Sequence, residues 1–288
     1  MNNRFFYKVT LLMIAVIGFG SHAYAAEPIK IGWTAWSDAE FVTKLSARIL
    51  EERMGYDVEL LQTDIAPQYQ GLATGSIDIM LMSWQPGTHE DYVKKVGDEV
   101  VNLGLLYTQA RLGWVVPDYV PEDMVGSIED LGKAEVSDKL DATITGIDPG
   151  AGLTRLSKQA IDEYGLDYEL QISSGAGMTA ALDRAIRRKE WIVVTGWSPH
   201  WMFGAYDLRY LDDPKGVLGS FERVHAVARM GFYQDNVEAA SFFSRVQIPI
   251  DDLQKAMYDA QETSYEGAVS RYIENNPKRV DYWVTGEL

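Results

Sequence analysis

Cysteine is absent from all 288 residues. No disulfide can staple the fold, and no thiolate can act as nucleophile or zinc ligand. A chain this long does not need staples, because burial alone can hold one large domain or two lobes. Histidine is scarce too. The four are His22, His89, His200 and His225; no two stand at metal-ligand spacing, and no His-Glu-x-x-His occurs. A metal site is therefore not expected. Positive charge is also short, with 26 Lys and Arg against 42 Asp and Glu, a formal charge of −16. Such a surface repels nucleic-acid phosphates, so nucleic acid is excluded as a partner and the acidity reads as solubility.

Long hydrophobic runs are missing apart from one. Val9 to Phe19 is broken only by Thr10 and Gly18, with Arg4 and Lys8 around its start and Ala23-Tyr24-Ala25 after it. This is the layout of a secretory signal peptide over 1–25, and the run is too short for a permanent span. The mature chain from Ala26 is expected to be soluble and exported, with no cysteine for a lipid anchor. An exported chain without disulfides suits a bacterial periplasm, and a monomer is expected.

What is present is an alternation of short apolar strands and amphipathic helices. Ile29 to Ala35 reads as a strand, followed by a helix with Phe41, Leu45, Ile49 and Leu50 on one face and Gly55 after its end. Asp57 to Gln62 is a second strand, Tyr69 to Thr74 a short helix closed by Gly75, and Ile77 to Met82 an apolar strand of the doubly covered kind. Val100–Tyr107 and Leu112–Val116 add strand character. A second βαβαβ set follows: strand Ala142–Ile147, helix Gly152–Tyr164, strand Tyr168–Ile172, helix Met178–Lys189 and strand Trp191–Thr195. After a strand at Val224–Phe232 the pattern is helical. The fold class predicted is α/β, with two lobes and a ligand cleft between them. The divisions expected are 26–114 for lobe one, 115–225 for lobe two, and 226–288 for a crossover and helical tail returning to lobe one.

Enzyme motifs fail on inspection. Gly196-Trp197-Ser198-Pro199-His200 has His where a nucleophile elbow needs Gly. Gly175-Ala176-Gly177-Met178-Thr179-Ala180 matches a loose dinucleotide fingerprint, but the next strand ends Thr195-Gly196-Trp197 without the acid that would hold a ribose. Asp38 and Glu40 read as residues that complement the dipole at a helix start. No cofactor and no enzymatic activity are expected.

Tryptophan is the informative abundance. Of eight, Trp36, Trp84 and Trp197 each fall where a strand runs out into a loop, the ligand edge of an α/β sheet. Indole faces supplied from both lobes are what a quaternary ammonium cage requires. Trp33, Trp114, Trp191, Trp201 and Trp283 read as packing or hinge residues.

The strings GIDPGAGL (Gly146–Leu153), TGWSPHWMF (Thr195–Phe203), SWQPGTH (Ser83–His89) and Leu211-Asp212-Asp213-Pro214-Lys215 resemble those of the glycine betaine-binding proteins of ABC importers. The resemblance covers nearly the whole mature chain. It implies the two-lobed, type II-like periplasmic binding protein fold, with ligand in the interlobe cleft and a membrane permease as partner. By motif, Trp36, Trp84 and Trp197 correspond to the family's cage, and Gly152 and Leu153 to backbone donors for the ligand carboxylate. His89 corresponds to its side-chain donor. The lobe carrying Trp36 and Trp84 comes first, the reverse of some relatives. His200 is expected to be scaffold.

Elementary chemistry points the same way. Asp148 to Leu153 follows a strand and opens a helix, whose free N–H groups favour an anion. Gly150 and Gly152 are expected to let a carboxylate approach the backbone. His89 can donate from either ring nitrogen, more strongly when protonated. The ligand expected is glycine betaine or a related betaine. The alternatives are a choline- or carnitine-type binder, or an exported hydrolase.

Overall fold

The computed structural model describes residues 27–287, so the signal-peptide expectation for 1–25 lies outside the described residues. The chain begins with β1 (Ile29–Trp33), α1 (Ser37–Met54), β2 (Val58–Gln62), α2 (Ile65–Thr74), β3 (Ile79–Gln85) and α3 (Glu90–Val96). Next come β4 (Val100–Pro117), α4 (Ala134–Lys139), β5 (Thr143–Thr145), α5 (Gly152–Tyr164), β6 (Glu169–Gln171), α6 (Gly175–Arg188) and β7 (Val193–Ser198). The chain then forms α7 (Met202–Ala205), β8 (Leu208–Tyr210), β9 (Glu222–Arg229) and α8 (Phe232–Asp235). It ends with α9 (Val237–Arg245), α10 (Ile250–Glu262), α11 (Tyr265–Asn275) and α12 (Pro277–Thr285).

Periodicity and capping explain the helices best. Phe41, Leu45, Ile49 and Leu50 are all buried along α1, and Gly55 closes it in the left-handed region at φ 74°. Gly75 and Gly165 end α2 and α5 the same way, at φ 76° and 64°. Each of the large apolar side chains buried here contributes roughly 1.5–3 kcal/mol. Six of the seven residues of β3 are buried, as its nearly unbroken apolar run predicts.

The strands order as β2-β1-β3-β9-β4-β7-β5-β6, with β8 beside β4. Two parallel triplets, β2-β1-β3 and β6-β5-β7, flank an antiparallel centre made by β9 and β4. This is a two-lobed α/β architecture. Val100–Ala110 of β4 pairs with β9, and Arg111–Pro117 pairs with β7 and β8. The two strands expected around 100–116 are thus one, bent where the register shifts and Gln109 takes φ 60°. The expected divisions at 114/115 and 225/226 fall within β4 and β9. The first change of partner falls between Ala110 and Arg111, ahead of 114, and β9 is paired to β3 and β4 from Glu222 onward, ahead of 226. We place the lobe boundaries at these changes of partner. The C-terminal helices return to α1, where Phe41 meets the Tyr272 ring edge-on at 5.7 Å and Arg53 pairs with Asp281 at 2.8 Å. Among the described residues no helix is long and apolar enough to cross a membrane.

Candidate functional site

The carboxyl ends of β1, β3 and β7 converge with the start of α5. Trp36 lies just past β1, Trp84 near the end of β3, Trp197 near the end of β7, and Gly152 and Leu153 in the first turn of α5. With His89 these residues, six in all, line one cavity, which Thr88, Leu112, Ile147 and Ala151 complete. All six sequence-predicted site residues therefore meet at one place. A larger groove lies beside Pro28, Thr74 and Arg229, but its guanidinium is already paired with Asp78 and Asp235.

The indoles are oriented by carboxylates. Trp36 and Trp197 have ring centroids 6.3 Å apart and planes at 59°. Trp36 donates its Nε1–H to Asp148 at 2.8 Å, and Trp197 donates to Asp38 at 3.0 Å. Tyr107 donates its hydroxyl to the other oxygen of Asp38 at 2.7 Å, and its ring meets Trp84 edge-on at 6.5 Å. His200 accepts the Met202 N–H on Nδ1 and sits edge-on to Trp197 at 4.5 Å, as a prop behind the cage. The N-terminus of α6 abuts the same pair: a Cβ on Gly175 would lie 3.5 Å from Trp36 and 3.9 Å from Trp197. The glycines that resemble a dinucleotide fingerprint thus serve packing and a cap, with Ser174 accepting the Gly177 N–H.

Asp38 is more than the helix-start residue the sequence suggests. It is fully buried, and that burial pushes its carboxyl above the ordinary value, against the hydrogen bonds from Tyr107, Trp197 and nearby backbone. Glu40 is half-buried in the first turn of α1 and pairs with Lys44 at 2.8 Å.

His89 also differs from expectation. Its Nδ1 accepts the Trp84 N–H at 3.1 Å, so only Nε2 is left to donate, and Nε2 is buried without a partner. Burial, helped by the Arg155 charge, lowers its pKa to about 3. The ring is a neutral donor, because a second proton would displace the Trp84 bond and charge a dry site.

At α5, Ala151 supplies no side-chain cap, so the first N–H groups lack intrahelical partners, and Gly152 and Leu153 line the cavity. The expected reason for Gly152 is corrected: the space of its Cβ is not left for an anion but is taken by Thr88, whose carbonyl oxygen would lie 2.3 Å away. At Gly150 a Cβ would meet only the Tyr92 hydroxyl at 3.9 Å, and that hydroxyl donates to the Gly150 carbonyl. Thr88 is held from the centre of the sheet, where Glu222 accepts its N–H and hydroxyl, each at 2.9 Å. At the rim, Arg155 of α5 pairs with Asp91 at 3.2 Å and donates to the Gly87 carbonyl. The lobes are therefore in contact around the cavity. Ser198 lies in extended β7 and shares a hydrogen bond with the Tyr210 hydroxyl, which is not the geometry of a nucleophile elbow.

Three indoles, a neutral imidazole with an unpartnered Nε2 and a helix start meet at one cavity; indole faces attract soft cations, and a free N–H and a helix start attract anions. A family model described as the substrate binding domain of ABC-type glycine betaine transport systems matches residues 27–275. The chain belongs to that family. It is similar to the glycine betaine/carnitine transport binding protein GbuC of Listeria monocytogenes, at 35% identity over 198 residues. That alignment covers 67% of this chain and 62% of the Listeria protein, less than two thirds of its length. Lactococcal OpuAC, solved closed and complexed with glycine betaine, superposes with a TM-score of 0.83 at 35% identity, over 90% of this chain and 100% of that one. The glycine/betaine/L-proline-binding protein ProX of Borrelia burgdorferi gives the same score and identity, over 90% and 97%.

Asp38, Asp148 and Tyr107 belong to the site through these hydrogen bonds, which no local pattern in the sequence announces. A spacing that set Asp38 two residues after Trp36 was the available signal, but the partner of Asp38 is Trp197, 159 residues away.

Proposed function

We propose that this protein captures glycine betaine or a related betaine outside the cytoplasm and delivers it to an ABC permease, without chemical change to the ligand. The observation that carries this reading is the cavity that joins indoles from both lobes to the unpartnered Nε2 of His89 and the uncapped start of α5. The trimethylammonium group sits among Trp36, Trp84 and Trp197. The carboxylate accepts from His89 Nε2 and from the Gly152 and Leu153 N–H groups. Betaine bridges the lobes only when they are closed, so it favours closure by its contacts to the second lobe. Each cation–π contact is worth about 0.5–1 kcal/mol exposed and about 2 when desolvated. Three of them, with the carboxylate bonds, support binding near −8 kcal/mol, which is roughly micromolar, after the entropy cost of association. The family match and the betaine-binding relatives support the ligand class, and the Listeria glycine betaine/carnitine transport binding protein extends it to carnitine.

Choline shares the cation but lacks the carboxylate, leaving His89 and the α5 amides unpaired in a dry cavity. Calorimetry with glycine betaine, proline betaine, carnitine and choline tests this. Glycine or proline betaine should bind at least tenfold tighter than choline; equal or tighter choline binding rejects the assignment of the anionic subsite.

A further inference from the structure

The two indoles nearest each other are each held by a carboxylate of the opposite lobe. Trp36 of the first lobe donates to Asp148, on the loop between β5 and α5 of the second. Trp197, on β7 of the second lobe, donates to Asp38 in the first turn of α1 of the first. The exchange is reciprocal, and Asp38 extends it: its other oxygen holds Tyr107, whose ring edge supports Trp84. Each of the three indoles therefore rests, directly or through one tyrosine, on an acid.

We infer that Asp148 and Asp38 are positioning residues that set the cage across the lobe boundary and make closure conditional on a cation in it. The inference rests on the proposed betaine reading. Two physical consequences of the geometry carry it. First, neither bond can exist with the lobes apart, so the rings reach their cage orientation only on closure; in the open state Trp36 and Trp197 are free to turn. Second, closure takes the Asp38 carboxylate to complete burial among aromatic rings, where an uncompensated negative charge is unfavourable. A trimethylammonium group in the cage supplies the missing charge, and a carboxylate on the indole N–H raises the negative potential of the ring face that meets it. An empty or neutral-filled cleft lacks that compensation and stays open.

The two acids differ usefully for a test. Asp148 is half-buried on a loop, so its variants should fold, whereas Asp38 is fully buried. Wild type, Asp148→Ala, Asp148→Asn and Asp38→Asn are titrated with glycine betaine by calorimetry, and small-angle X-ray scattering reads the radius of gyration with and without ligand. Asp148→Ala should weaken binding tenfold or more and blunt ligand-induced compaction. Asp148→Asn, whose amide oxygen still accepts the Trp36 N–H, should recover most of the affinity. Asp38→Asn keeps an acceptor but loses the charge; it should weaken betaine tenfold or more and shrink the ligand-free radius towards the closed value. Wild-type affinity in both Asp148 variants, or equal losses in Ala and Asn accompanied by a lower ligand-free melting temperature, overturns the inference while leaving the betaine reading intact. Failure of the wild type to bind glycine betaine overturns both.

Discussion

Gly152→Ala offers a clean perturbation of closure. Gly152 occupies the first turn of α5 in helical conformation, where alanine is a better helix former, so the substitution should not harm the second lobe itself. Its Cβ would nevertheless lie 2.3 Å from the Thr88 carbonyl oxygen and 2.6 Å from Thr88 Cγ2, where ordinary contact begins at 3.4 Å. Thr88 cannot yield easily, because its N–H and hydroxyl are both anchored on Glu222. The lobes must therefore part by about 1 Å at this point. Betaine would keep Trp36 and Trp84, but the contact with Trp197, worth about 1–2 kcal/mol, weakens. So do the charge-assisted bonds from the α5 amides, about 1.5–3 kcal/mol each when fully made. A net loss near 3 kcal/mol, about 100-fold in Kd, is expected by calorimetry at 25 °C. The ligand-free melting temperature should stay at or above that of the wild type. Glycine betaine binding within threefold of wild type would refute the reasoning, since it would mean that the lobes close without excluding a methyl group from that space.

Trp197→Ala should weaken glycine betaine by about 2 kcal/mol or more, the cost of removing a central aromatic anchor, with an unchanged far-ultraviolet circular dichroism spectrum; unchanged affinity would make Trp197 a packing residue only. Because His89 is neutral down to a pKa of about 3, betaine affinity measured between about pH 5.5 and 8 should be flat, and a fall in affinity centred near the ordinary histidine value of about 6.5 contradicts a neutral donor. Burial lowers both His89 and His200 to about 3, so the unfolded chain binds those protons more readily. Their contribution to stability is therefore complete above about pH 6.5 and is lost as pH falls towards 3, reaching roughly 2–3 kcal/mol per ring at about pH 4.5. Urea melts across that range should show it, and a profile flat from pH 7 to 4.5 sinks the assignment of both rings as buried and neutral. Arg155→Ala removes the rim pair with Asp91, whose side chains are 43% and 65% exposed, so betaine affinity should change less than about fivefold. A hundredfold loss in that titration would show the rim, rather than the cage, holding the lobes shut.

Local signals carried the helices and the cage, and long-range ones stayed hidden. The helix Gly152–Tyr164 appears at its predicted bounds because an amphipathic stripe, an uncapped glycine start and a left-handed Gly165 all act within a turn or two. Trp36, Trp84 and Trp197 were legible because each stands at the end of an apolar strand, where α/β topology puts ligands. The 18 residues of β4 look like two strands because the register shifts around Gly104 and Gln109 interrupt its alternation, and only its pairing with β9 and then β7 shows that it is continuous. β8 carries no signal of its own, and only its pairing with Val115–Pro117 of β4 shows it as a strand. Asp38 and Gly152 were found but misread. A carboxylate in a first helical turn and a glycine at a helix start have adequate local explanations, and what decides their roles is a side chain from the other lobe.

A crystal structure of the protein with glycine betaine tests the central claim most directly. The quaternary nitrogen should lie among the faces of Trp36, Trp84 and Trp197, with the carboxylate within hydrogen-bond reach of His89 Nε2 and the Gly152 and Leu153 N–H groups. Betaine bound elsewhere, or lying in the cavity with its carboxylate towards the indoles, would contradict it.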